Sequence, residues 1–331
     1  MRDFPRTTLR AGAVAAAAAT AALAGAGFTG TGLAETRHSP AWCRPGGTLS
    51  VRTMPTRVRI ADCDLRGRAV RGANGLTAVV PTDGTSLVAH ALRADGGAEL
   101  SIRVDRRAGL VTIGTQGGRV PHGRPRAFRA PTTACADGAY RLEPSRWRRG
   151  TAVPWYFYPG DSGLPSGPIA AGVSNMANAR TDCNGGRFTP APNVGARYAG
   201  QSNRPPNLTS AAACGKRDGA NTFGWLAMRS AGGDVLAATC TWYIGSSTVE
   251  TDMALQMQGK RWWTAGRCAA GSYSAEAVAT HEAGHVFGLG HVEGIEHGNL
   301  TMSPSLASCD RSAATLGKGD YAGLVAIYGG R

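Results

Sequence analysis

Eleven consecutive residues constrain this 331-residue chain more than any others: His281-Glu282-Ala283-Gly284-His285-Val286-Phe287-Gly288-Leu289-Gly290-His291. On an α-helix, residues four apart lie one above the other on the same face, so His281 and His285 bring two imidazoles to one point. Glu282 stands beside them and is not needed as a ligand. Gly288 permits the left-handed backbone that ends a helix, after which the chain turns back and His291 supplies a third imidazole. Three neutral nitrogen ligands leave a fourth position for water, as a catalytic zinc site requires. Zinc in such a site lowers the pKa of bound water from about 15.7 to about 7 and polarises a carbonyl. Glu282 is then placed as general base, returning the proton to the leaving amine. A chance match at the specified positions is expected about 10⁻⁵ times in a chain of this composition, which sets aside a helix that merely carries His and Glu on a wet face.

The remainder of the chain supplies a frame for that site. Residues 1–34 read as a signal peptide: Arg2, Arg6 and Arg10 precede an Ala-rich run from Ala11 to Ala26, and Gly32-Leu33-Ala34 offers a cleavage site. Export predicts a secreted, extracellular protein, and no later stretch is apolar enough to span a membrane in the mature form. The eight cysteines are even in number and never form a C-x-x-C pair, so disulfides are expected. Their connectivity stays open, with Cys43 to Cys63 the simplest pair.

Charge divides the chain unevenly. The net charge is +14, and residues 35–150 alone carry 20 Lys and Arg against 9 Asp and Glu. Within residues 35–118 the runs Thr48–Val51, Leu76–Val80 and Ala98–Val104 are β-rich and broken by turn signals, predicting a small all-β module. Residues 119–133 contain four Arg, three Pro and no acid, the composition of a linker, which puts a boundary near residue 130. Residues 134–331 are of mixed type. Val153–Tyr158, Thr222–Met228, Val235–Ile244 and Val249–Leu255 read as strands; Pro168–Arg180 reads as a helix, and Ser274 caps another that runs to about Phe287. The fold class is therefore α+β, a mixed twisted sheet with helices preceded by the basic β module.

The zinc motif, with Met302 downstream in Thr301-Met302-Ser303-Pro304, resembles the metzincin zinc metallopeptidases, and Pro two residues after Met resembles their matrixin branch. Leu316–Gly329, with Asp320, Gly323 and the ending Ile327-Tyr328-Gly329, is similar to the matrixin C-terminal helix. The resemblance implies that Met302 lies beneath the metal and that Asp320 supports the turn around it. It also implies that Ser303, Pro304, Ser305 and Leu306 line one wall of the substrate pocket. Val235–Cys240, including Ala237, Ala238 and Thr239, would be an edge strand on which a peptide substrate pairs antiparallel. No His lies between His122 and His281, so the imidazoles for the second, structural zinc of many matrixins are missing and one catalytic Zn²⁺ is expected; no motif indicates Ca²⁺. His297 does not fit the ligand spacing and is expected to face solvent.

The function these readings predict is a secreted zinc-dependent endopeptidase acting on protein or peptide substrates. For the basic module two roles suit its charge: an inhibitory or chaperoning pro-segment removed near the linker, or adhesion through residues 35–150 to an anionic cell-wall polymer. Aromatic interleaving is too sparse there for nucleic acid. The different-class alternative is a secreted polyanion- or cell-surface-binding protein that keeps a peptidase-like domain as a structural platform.

Overall fold

The computed structural model describes residues 39–118, 131–231 and 234–331. The signal peptide expected at 1–34 and most of the expected linker lie outside these residues. Among the described residues nine strands form one sheet, and three helices pack on it. In chain order the strands are β1 (Arg57–Arg59), β2 (Ser86–Arg93), β3 (Ala98–Asp105), β4 (Leu110–Gly117), β5 (Ala152–Tyr158), β6 (Gly195–Gln201), β7 (Thr222–Leu226), β8 (Val235–Ile244) and β9 (Ser247–Gln256). The helices are α1 (Gly167–Ala177), α2 (Ala275–Val286) and α3 (Lys318–Tyr328). The strand order across the sheet is β6-β5-β7-β9-β8-β2-β3-β4-β1.

The first four of these strands are mutually parallel, and every pairing from β9 through β8 and β2 to β1 is antiparallel. That order corrects the expected division of the chain. A separate small all-β module is not what the strand pairing shows, because β2 joins β8 along its length, from Ser86 opposite Tyr243 to Arg93 opposite Val235. Residues 39–331 accordingly form one compact unit. Among the described residues, the only sheet confined to the N-terminal segment is a small three-stranded one formed by Leu49–Ser50, Ala69–Arg71 and Thr77–Val79. The Arg-rich, turn-rich sequence of this region looked self-sufficient, but an antiparallel meander with an open edge is completed by any strand that fits it.

Central position explains the composition of β8. Nine of its ten residues are buried, as expected of a strand covered on both faces. One side of the sheet carries the core of α1, α2 and α3, with Trp155, Phe223, Trp225, Leu255 and Leu324. The other side carries a second core of Leu87, Leu100, Ile102, Val111 and Trp242, into which the N-terminal strands and β8 both contribute. α1 lies close against α2: a Cβ on Gly172 would come 2.6 Å from the backbone of Ala279. α2 begins as the sequence predicts, with the Ser274 hydroxyl accepting from Ala277 N–H at 3.2 Å, a cap worth about 1 kcal/mol.

Four disulfides close loops at Cys43–Cys63, Cys135–Cys183, Cys214–Cys240 and Cys268–Cys309, and no cysteine is free. None of them ties residues 39–118 to residues 131–331. No helix among the described residues is long and apolar enough to cross a membrane.

Candidate metal centre

α2 carries His281 and His285 on the face turned toward β8 and β2, and Gly288, at φ +89°, ends the helical run and redirects the chain. The turn is held by a short antiparallel pair, Leu289 with Leu142 and Gly290 with Arg141, and Val292 N–H donates to Met302 O at 2.9 Å. His291 is thereby brought back beneath the helix. Its Nε2 lies 3.2 Å from His285 Nε2 and 3.2 Å from His281 Nε2.

The protons of this cluster are fixed from behind. His281 Nδ1 is 2.7 Å from the carbonyl of Thr301, and His285 Nδ1 is 2.8 Å from the carbonyl of Leu289. A carbonyl only accepts, so both rings carry their proton on Nδ1 and turn an Nε2 lone pair toward the centre. Lone pairs facing one another at this distance repel unless a cation lies between them. Tetrahedral zinc with Zn–N of about 2.0–2.1 Å separates its nitrogen ligands by about 3.3 Å, so the donor set fits the ion. Burial pushes His281 down to about 4 and holds His285 and His291 well below the usual imidazole range, keeping all three neutral as ligands must be.

Glu282 is fully buried, with one carboxylate oxygen accepting from the Thr239 hydroxyl and the other without a hydrogen-bond partner. The Leu92 backbone N–H also faces the carboxyl. Burial pushes Glu282 up to about 7, although Thr239 pulls the other way. A carboxyl near 7 both takes and returns a proton at neutral pH.

Met302 packs under the helix: a Cβ added to Gly284 would stand 2.1 Å from its Sδ. Asp320 sits at the start of α3 and accepts three backbone N–H groups, from Thr301 at 2.9 Å, Met302 at 3.1 Å and Gly317 at 2.8 Å. It thus ties the turn that carries Met302, and with it the Thr301 carbonyl that orients His281. Ser303 and Leu306 are buried, and Ser305 forms a parallel bridge with Arg93. Ala237, Ala238 and Thr239 lie on β8 opposite Leu92, Ala91 and His90.

Two expectations need correction here. Val235–Cys240 is not an edge, since β2 pairs along it and covers the position in which a substrate strand was expected. His297 does not simply face solvent: its Nδ1 lies 2.8 Å from Asp137 Oδ2, and it is about a quarter exposed.

The structure also adds a residue that the sequence did not single out. His90, on β2, stacks face to face on His285 with ring centroids 3.7 Å apart and planes 6° from parallel. One nitrogen each from His90, His285 and His291 fall within 4.8 Å of one another, so His90 belongs to the centre's immediate surroundings. Burial disfavours its charge, but Glu143, 3.4 Å from Nε2, and Glu99 outweigh that and raise its pKa. A lone histidine in an apolar strand has no spacing relation to a motif some 190 residues later, so no signal in the sequence marks it.

Three imidazoles on a helix and its following turn, with a glutamate between them and a methionine below, form a buried nitrogen donor set of the kind that holds a metal ion. Residues 232–329 match the matrixin family model, which supports a matrixin-like region there and suggests a zinc metallopeptidase. No curated protein matches the chain.

Proposed function

We propose that the protein is a secreted zinc-dependent endopeptidase, with His281, His285 and His291 as the metal ligands and Glu282 as general base and acid. The observation that carries the reading is the convergence of three imidazole Nε2 atoms, two of them freed of their proton by a backbone carbonyl behind the ring, beside a buried carboxyl pushed up to about 7. Bound there, zinc would supply Lewis acidity toward a peptide carbonyl and an acidified water. Glu282 would act as the proton acceptor and donor beside it, and the Thr239 hydroxyl donates to the carboxylate and fixes its position. Met302 and Asp320 hold the floor of the site. Four disulfides suit an extracellular location.

The platform alternative is not favoured, because the general base, the residue whose loss would disturb the fold least, is intact. The test is hydrolysis of a mixed quenched-peptide library by native protein and by Glu282→Gln, with metal content measured on both. The expected outcome is equal zinc content and a loss of at least a thousandfold in turnover for the variant. Measurable turnover that is equal in the two proteins would sink the assignment of Glu282.

A further inference from the structure

On the proposed reading a substrate must pair antiparallel with β8 and pass the wall at 303–306. β2 already does both. It pairs antiparallel with β8 from residue 86 to residue 93, and Arg93 bridges Ser305 in parallel.

Strand alternation carries the same message. Leu87, Ala89 and Ala91 point into the core on the far side of the sheet, while His90 and Leu92 point to the side of α2. Leu92 is fully buried in the core that holds Met302, Leu306 and Ala237, and among the described residues it is the one member of the N-terminal segment in that cluster. His90 covers the face of His285. After β2 the chain stays close: a Cβ on Gly97 would come 2.6 Å from the His291 ring and 2.8 Å from Pro304. The three histidine ligands and Glu282 are each at most 2% exposed as a result.

We propose that β2 is a built-in substrate mimic, seated in the groove with the antiparallel direction of a bound peptide, so that a peptide reaches the centre only when β2 leaves it. The proposal rests on the peptidase reading for what the groove binds. No disulfide crosses from residues 39–118 to residues 131–331, so apart from the chain itself only non-covalent contacts keep β2 in place.

The test uses the zinc-loaded full chain carrying Glu282→Gln, which removes hydrolysis from the readout, and a fluorescent peptide of the sequence Ser86 to Arg93 as probe. Binding is followed by anisotropy. Adding Leu92→Ala withdraws the anchoring side chain, and the affinity for the probe is expected to rise at least tenfold. Amide hydrogen exchange on the chain with Leu92 retained is the second measurement, needed if Leu92→Ala fails to fold: saturating probe should strip protection from β2 while β8 stays protected. Equal affinity with and without Leu92, or probe bound with β2 still protected, overturns the proposal. A chain that exchanges β2 for probe yet hydrolyses nothing as native protein leaves the proposal standing and removes the peptidase reading. Hydrolysis with β2 protected throughout does the reverse.

Discussion

Replacing Asp320 with alanine removes the acceptor of three buried backbone N–H groups, those of Thr301, Met302 and Gly317. A buried donor left without a partner costs about 1–3 kcal/mol, so the set amounts to about 3–6 kcal/mol once part of the turn relaxes. A second effect opposes it. Burial raises the Asp320 pKa from 3.8 to about 6, against the hydrogen bonds that lower it. The sign follows from linkage: the native state keeps the proton up to about pH 6, whereas the unfolded chain releases it near 3.8. The native protein therefore loses stability relative to the variant as pH rises from about 4 to 6, by about 1.4 kcal/mol for each pH unit crossed and about 3 kcal/mol in all. Above about pH 6 the difference is constant. Urea denaturation of both proteins, chelated and followed by tryptophan fluorescence, should show the variant less stable by about 3–6 kcal/mol near pH 4, with the deficit smaller by about 3 kcal/mol at about pH 7.5. Other titrating groups are common to both proteins and cancel in the difference. A deficit that widens as pH rises, or one under about 1 kcal/mol near pH 4, would refute the reasoning.

Three further outcomes follow from the same structure. Gly284→Ala drives a methyl group into Met302, so overpacking of about 1–3 kcal/mol outweighs a helix-propensity gain of about 1 kcal/mol, and thermal unfolding should occur at a lower temperature; a rise would count against the contact. Asp252, pushed up to about 8 by burial, holds its proton in the native state well above its unfolded pKa, so the native chain loses ground to Asp252→Asn by about 1.4 kcal/mol per pH unit between about pH 4 and 8; a pH-independent difference contradicts this. His281→Ala leaves two of three imidazoles, and dialysis that keeps one zinc on the native protein should strip the variant; retention of the ion would mean that another group, with His90 the nearest imidazole, completes the site.

The local parts of the centre were legible because each is a spacing along one element. His281 and His285 follow from helical periodicity, Gly288 from the need for positive φ, and the start of α2 from Ser274. Met302 and Asp320 follow from resemblance alone; in the structure Met302 lies under Gly284 and Asp320 accepts from the backbone of the turn. Val153–Tyr158 and Val235–Ile244 were readable as strands from their runs of apolar and β-branched residues, and they correspond to β5 and β8. Strand partners were not readable. The sequence of β8 says only that it is buried on both faces, and a strand from either side satisfies that. Hence β2 escaped notice, and with it His90 and Leu92, whose significance lies wholly in what they meet across the sheet.

The seam between β2 and β8 also bears on how the chain reaches this state. β2, β3 and β4 are successive antiparallel neighbours joined by short turns, a local arrangement that forms early. By contrast, His90 meets Thr239 across roughly 150 residues, a loop closure that must wait for the C-terminal half. Until then the meander presents β2 as a bare edge of unpaired N–H and C=O groups, the kind of edge that recruits whichever strand arrives. In a chain synthesised from its N-terminus, the first part made is thus a template, and the sheet that carries the metal centre grows from it rather than meeting it complete.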